Sequence, residues 1–269
     1  MQASLADSSP PSSSRWLTFC ACIKGSAHLE NGLPCQDAGR LAVLGEHGDT
    51  VLLALSDGAG SAAYAERGAQ IVVQQWMEHF QTLLQDHPDP AGVLTDCDAT
   101  DIGLILRRIR EAVASEASVL GVEPVEFSAT LLGAVVTGTQ ALVAQVGDGA
   151  WVGLFNGICG CLTWPVNGEF AGQTTFANSE AAADSLQLVH LQKAPSALAG
   201  FTDGLERVLL DFQTRQPASG FFLPVFRALK HDTQHFSTQL EQYLQSESVC
   251  ARTDDDKSLA ILLNLTEEL

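Results

Sequence analysis

Positive charge is scarce in this sequence. Fourteen lysines and arginines stand against 32 aspartates and glutamates, a formal charge of −18. A surface that acidic repels a phosphate backbone, which argues against nucleic-acid binding as the main activity. Long apolar runs are missing as well: no stretch approaches the ~18 apolar residues of a membrane span. The N-terminus has no basic start followed by an apolar run, so it does not read as a secretory signal. The seven cysteines (Cys20, Cys22, Cys35, Cys97, Cys159, Cys161, Cys250) are odd in number, irregularly spaced and without a Cys-x-x-Cys pair, which argues against a zinc site. They read as small buried apolar residues in a reducing compartment. These absences together predict a soluble, cytoplasmic protein with no membrane partner. What is present is a chain of 269 residues, 46% hydrophobic, long enough to bury a sizeable core without disulfides.

Residues 1–14 are rich in Ser, Pro and Ala and read as a disordered tail, leaving 15–269 as one folded domain. Trp16–Lys24 reads as a first strand. Leu41–Leu44 and Thr50–Leu55 flank a Gly- and Asp-containing turn, which predicts a hairpin. Ala62–Leu84 carries helical periodicity through Ala69, Val72, Trp76 and Phe80, and the segment His87–Pro90 breaks it. Asp101–Leu120 predicts a second helix. Strands are expected at Phe127–Val136, Gln140–Val146, Trp151–Phe155, Leu186–Leu191, Ala197–Phe201 and Ser258–Leu265, with late helices at Phe221–Leu229 and Thr233–Gln245. Adjacent strands with helices early and late predict an α+β sandwich, not an alternating βαβ fold.

Aspartates stand where the apolar strands stop. They occur in Pro34-Cys35-Gln36-Asp37-Ala38, in Leu55-Ser56-Asp57-Gly58-Ala59-Gly60, in Phe201-Thr202-Asp203-Gly204-Leu205 and in Asp254-Asp255-Asp256-Lys257-Ser258, with a fifth at Val146-Gly147-Asp148-Gly149. Carboxylates gathered at a sheet edge repel one another unless a cation lies between them. Hard divalent ions take oxygen ligands, and Mg²⁺ keeps several waters while binding few carboxylates. Glycine after the aspartate permits a sharp turn and leaves room for a backbone carbonyl to reach a metal. A lone Asp-Gly after a strand is an ordinary turn and three aspartates in a row an ordinary solvated cluster; it is their combination that suggests a metal site.

Taken in order, these runs resemble the metal-dependent protein phosphatases of type 2C, in particular a bacterial branch whose first motif reads Gly-x-x-His-x-x-x-Gly-x-x-Cys-Gln-Asp-Ala. Here that motif is Gly25 to Ala38, with His28, Gly32, Cys35, Gln36 and Asp37 in register. Asp57-Gly58-Ala59-Gly60, Ser128-Ala129-Thr130, Gly147-Asp148-Gly149, Thr202-Asp203-Gly204-Leu205 and Asp255-Asp256-Lys257-Ser258 match the later motifs in family order. The resemblance implies a four-layer αββα sandwich of two antiparallel sheets flanked by helices, and a centre of two Mn²⁺ or Mg²⁺ ions. It implies that Asp57 bridges the ions, that the Gly58 carbonyl binds one, that Asp203 and Asp255 hold the other and that Asp37 holds metal-bound waters. Phosphoserine or phosphothreonine on proteins would then be hydrolysed by a metal-activated water, with no covalent phospho-enzyme. The partners it implies are a phosphoprotein substrate, an opposing Ser/Thr kinase or its targets, and a von Willebrand factor A-type domain protein.

The sequence departs from the family pattern at three places. Gln36 stands where a ligating Glu is usual, Gly32 where an Arg commonly meets the substrate phosphate, and Arg207 where some members place an Asp that, with the counterpart of Asp148, holds a third metal. Lys24, His28, Arg40 and Arg207 are the candidates to meet the phosphate instead. His28 is also a candidate general acid, against an ordinary structural role; His190, near a strand end, reads as structural. The alternative to an active phosphatase is a catalytically weak pseudophosphatase acting as a binding module; a third reading is a hydrolase of small phosphoesters.

Overall fold

The computed structural model describes residues 14–166 and 174–269. Strand β1 (Trp16–Ile23) is followed by a single-turn helix α1 (Ser26–Glu30), then β2 (Ala38–Leu44) and β3 (Thr50–Ser56), the expected hairpin. Helices α2 (Ala65–Leu84), α3 (Pro90–Asp96) and α4 (Ala99–Leu120) precede a run of strands: β4 (Leu131–Val136), β5 (Ala141–Val146), β6 (Ala150–Phe155), β7 (Ile158–Cys161), β8 (Gln187–Leu191) and β9 (Ala197–Phe201). The chain closes with α5 (Glu206–Leu209), a two-residue ladder of β10 (Leu210–Asp211) and β11 (Gln216–Pro217), helices α6 (Ser219–His231), α7 (Thr233–Leu244) and α8 (Glu247–Cys250), and strand β12 (Lys257–Asn264).

Two five-stranded antiparallel sheets, ordered β1-β12-β9-β6-β7 and β2-β3-β4-β5-β8, make the middle of the molecule. Alternation along each strand sends one set of side chains between the sheets and the other toward helices. Trp16, Leu53, Leu55, Leu132, Trp151, Leu198 and Leu262 fill the inter-sheet layer. Trp76, Phe80, Ile105 and Ile109 of α2 and α4 pack on the outer face of the second sheet, and Phe222, Phe226, Phe236 and Leu240 of α6 and α7 on that of the first. The result is the αββα sandwich. Each sheet also makes room for a buried indole with a glycine: a Cβ at Gly133 would run into Trp76, and one at Gly200 into Trp151.

Several local expectations are corrected. Phe127–Val136 is not one strand: Pro124–Phe127 forms a 3₁₀ turn and the strand begins at Leu131. Gly68 of α2 packs so closely on the Phe127 carbonyl that no side chain fits between them, which holds that turn against the helix. The His87–Pro90 break is real but also starts α3, because Pro90 takes the first helical position and Asp89 accepts the Gly92 N–H at 2.9 Å. Strand β7 was not expected. Of the predicted tail only Ser14 lies within the described residues, and residues 167–173 lie outside them. Among the described residues no helix is long and apolar enough to cross a membrane.

Candidate metal centre

Strand pairing brings the aspartates to one end of the sandwich. Ala38 at the start of β2 pairs with Ser56 at the end of β3, which sets Asp37 beside Asp57. Phe201 at the end of β9 pairs with Leu259 near the start of β12 and with Ala150 at the start of β6. Asp203, Asp255 and the Asp148 turn therefore open at the same edge of the first sheet.

The backbone of each turn is tied down. Thr130 grips the Asp57 residue on both sides: its Oγ1 accepts from the Asp57 N–H at 3.0 Å, and its own N–H donates to the Asp57 carbonyl at 2.8 Å. The Gly58 N–H donates to the Gln36 carbonyl at 3.2 Å, joining the first two motifs. A Cβ at Gly58 would strike the Ala65 carbonyl, and one at Gly204 the Asp256 carbonyl, so both glycines are needed for close approach. Thr202 donates from Oγ1 to Asp37 Oδ2 at 2.9 Å and accepts from the Ser258 N–H at 3.0 Å. One hydroxyl thus links Asp37, the Asp203 turn and β12.

The gathering carries an electrostatic cost. Burial, then the charge of Asp37, Asp203 and Asp148, pushes the Asp57 carboxyl well above its ordinary range. Burial raises Asp37 to about 6. Asp203 is raised to about 8 by burial and by Asp148, Asp255, Asp37 and Glu206. Asp148 is raised by burial although Thr174 donates to its Oδ2 at 2.6 Å. Oδ1 of Asp37 and Oδ1 of Asp148 are buried acceptors with no donor.

Carboxyl oxygens that are buried together and costly to ionise side by side fit a hard divalent cation, whose charge would offset their repulsion. Among the described residues no three His, Cys, Asp or Glu side chains close round a single point. The carboxylates would therefore hold an ion in ones and twos, with a carbonyl and waters completing its shell, as suits Mg²⁺ or Mn²⁺.

The remaining candidates separate. Gln36 is buried against this cluster, and its Oε1 has no donor. His28 does not stand among the metal-site aspartates as a free acid: its Nδ1 lies 2.9 Å from Oδ2 of Asp256. Asp256, at 2% exposure, also accepts the Gly25 N–H and the Gln36 N–H, each at 2.6 Å. Within the triple-aspartate run, then, Asp255 faces the cluster and Asp256 is a structural clamp. Gly32 is exposed, and Arg40 is exposed on β2. Arg207 is exposed on α5 and lies near enough to Glu206 to stabilise its charge.

Glu206 was missed in the sequence. It is raised to about 7, chiefly by burial, and Oε1 accepts from the Gly149 N–H at 2.7 Å, bracing the Asp148 turn from the side. Below that turn the fully buried Gln145 donates to the Gly147 and Gly149 carbonyls at 3.1 and 3.0 Å. An acid in the first turn of a short helix gives no sequence signal of such a role.

The comparisons with known proteins agree with the sandwich fold. The family model described as protein phosphatase 2C matches residues 24–245. The serine/threonine-protein phosphatase 3 of Escherichia coli (strain K12) is 34% identical over 255 residues, spanning 92% of this chain and 98% of that protein. Among solved structures, PppA of Pseudomonas aeruginosa, described as a key regulatory component of T6SS, superposes with a TM-score of 0.61 at 16% identity, covering 92% of this chain and 97% of its own. The catalytic domain of the serine/threonine protein phosphatase PstP, in complex with two manganese ions, gives 0.60 at 15% identity over 92% and 97%. The chain belongs to the protein phosphatase 2C family of serine/threonine phosphatases.

Proposed function

We propose that this chain is an active, cytoplasmic phosphoprotein phosphatase that hydrolyses phosphoserine and phosphothreonine at a centre of two Mn²⁺ or Mg²⁺ ions. The observation that carries the reading is the convergence of Asp37, Asp57, Asp203 and Asp255 on one end of the sandwich, where burial and neighbouring charge make Asp57 and Asp203 costly to ionise without a cation. Asp57, the Gly58 carbonyl, Asp203 and Asp255 would hold the ions. When bound, the ions supply the positive charge that neutralises a phosphoryl group and lowers the pKa of an intervening water.

The protein's part is to hold those donors rigid, placed so that the charge of bound ions would favour their ionised form. Thr202, by donating to Asp37 Oδ2, keeps Oδ1 free to accept from water at the reacting face. Thr130 fixes the Asp57 backbone, and Glu206 and Gln145 fix the turn that carries Asp148. Arg207, at the rim beside Glu206, is the cation we assign to the approaching phosphate in place of the Arg absent at Gly32. Its partners would be a phosphorylated protein and the Ser/Thr kinase that makes it, with a von Willebrand factor A-type domain protein as a further candidate.

Gln36, Gly32 and Arg207 favour a pseudophosphatase, but Asp57, Asp203 and Asp255 are all retained, and loss of at least one would be expected of a dead enzyme. The test is phosphate release from a phosphothreonine peptide and from an aryl phosphate in Mn²⁺, in Mg²⁺ and in chelator. Metal-dependent release favouring the peptide supports the proposal; folded protein without turnover in either metal overturns it.

A further inference from the structure

Beside the acidic cluster lies a recess of about 340 Å³ that the hydrolytic chemistry does not use. Leu33 and Pro34 of the first motif form one wall, and Ala62, Ala63 and Tyr64, between the Asp57 turn and α2, form the other. Gln36 and Gly60 close the end nearest the metal centre, so recess and centre share a border. The wall is built, not incidental. Tyr64 stacks on Phe127 with ring centroids 5.1 Å apart, and the Ala63 N–H is held by Glu126 Oε2 at 2.8 Å. Leu33 nevertheless stands 42% exposed at the mouth, an apolar side chain with little to cover it.

The charges of the recess are informative. Arg67 is the cation in its lining, and its guanidinium is already engaged by Glu116, through Nε at 2.6 Å and Nη2 at 2.9 Å. Glu66 adds a negative charge to the same wall. The recess therefore has no cation to spare for an acidic side chain, whereas its apolar walls gain by being covered. At the shared border, Gln36 Oε1 is buried without a donor, and the nearest neighbour that a Cβ at Gly60 would meet is this same oxygen at 3.9 Å. An acceptor so placed suits the N–H of an extended chain lying between recess and metal centre.

We propose that this recess is a specificity subsite, taking an apolar side chain adjacent to the phosphorylated residue of the substrate, while Gln36 Oε1 accepts a substrate backbone N–H. The proposal rests on the phosphoprotein-phosphatase reading and adds the substrate class: apolar, not acidic, flanking sequence. Occupation of the recess draws the peptide across the border, so the discrimination falls on kcat/KM, and an aryl phosphate, which has no flanking residue, gains nothing from it.

The test uses phosphothreonine peptides identical except for Leu or Glu at each position flanking the phosphothreonine, with the wild type, Leu33→Glu and Ala63→Phe. Both substitutions lie at exposed positions, the first placing a charge at the mouth and the second filling the recess. For the wild type we expect kcat/KM to favour the Leu peptide by about tenfold or more at one flank, the scale of an apolar pocket contact. Each variant should bring that ratio to within about twofold of unity. The ratio is internal to each protein, so a general loss of turnover cancels. A wild-type ratio near unity, or a ratio that survives both substitutions, overturns the subsite. Turnover of aryl phosphate but equal use of the peptides sinks the subsite alone. Absence of all turnover sinks the parent reading, and the subsite is then judged by anisotropy titration with the same peptides, fluorescently labelled: tighter binding of the Leu peptide supports it and equal affinities overturn it.

Discussion

Replacing Asp256 should damage this protein more than replacing any exposed carboxylate, although it is not one of the residues assigned to the metals. Its carboxylate is almost fully buried and takes two backbone N–H groups, those of Gly25 and Gln36, at 2.6 Å each, besides lying 2.9 Å from His28 Nδ1. Asp256→Ala strands both N–H donors in the interior. A buried donor left without a partner costs about 1–3 kcal/mol, so the pair comes to ~4 kcal/mol. For a chain of this size that corresponds to a fall in Tm of roughly 10 °C. Asp256→Asn should lose about half as much, because its amide oxygen can serve one N–H while its NH₂ confronts the other. The Gln36 N–H is also what anchors the residue before Asp37, so phosphopeptide turnover should fall in the same order, Ala below Asn below wild type. Scanning calorimetry of the three proteins in chelator, followed by turnover in Mn²⁺, makes the comparison. An Ala variant within about 1 kcal/mol of wild type would refute the clamp.

The metal-free protein should lose stability as pH rises. Asp37, Glu206 and Asp203 have folded values near 6, 7 and 8, above the ~4 of an unfolded carboxylate. Their contribution is complete below about pH 4 and is lost as pH climbs through about 8; the upward shift of Asp37 alone corresponds to ~3 kcal/mol. In chelator, Tm should therefore fall from pH 5 to pH 8, and Mn²⁺ at pH 8 should restore it; a Tm that rises across that window contradicts the assignment. Thr202→Val removes the donor to Asp37 and the acceptor for the Ser258 N–H, so kcat should drop about tenfold or more with a stability loss of ~1–3 kcal/mol. Thr202→Ser, which keeps the hydroxyl, should recover most of both; equal rates for Val and Ser would argue that the hydroxyl does not position Asp37.

Much of the fold was legible because hydrophobic patterning and sheet pairing agree. Ala197–Phe201 is read to the residue, and the aspartates are found because strands end where charge begins. The errors have local causes. Phe127 is apolar and adjoins a strand, but the close approach of Gly68 folds it into a 3₁₀ turn, a contact with a residue far away in sequence. Strand β7 follows the pair Asn156-Gly157, whose φ of 50° and 78° fill the two left-handed positions of a tight hairpin, and the short, half-buried Ile158–Cys161 shows too little alternation to be read as a strand. The candidate aspartates carry motifs and Glu206 does not, while Asp256 lies inside the closing motif without any sign there of its clamping role. Asp254, Asp255 and Asp256 look equivalent as a string, and only the fold turns one toward the cluster and buries the next under Gly25 and Gln36.

The central claim is that Asp57 organises a metal-dependent hydrolytic centre. The direct measurement is kcat/KM for a phosphothreonine peptide over a Mn²⁺ titration, for wild type beside Asp57→Asn, with folding of both checked by circular dichroism. The account predicts turnover that rises with Mn²⁺ in the wild type and falls about a thousandfold in the variant at every concentration, ~4 kcal/mol of transition-state stabilisation. A folded Asp57→Asn protein that keeps its Mn²⁺-dependent turnover within tenfold of wild type would contradict it.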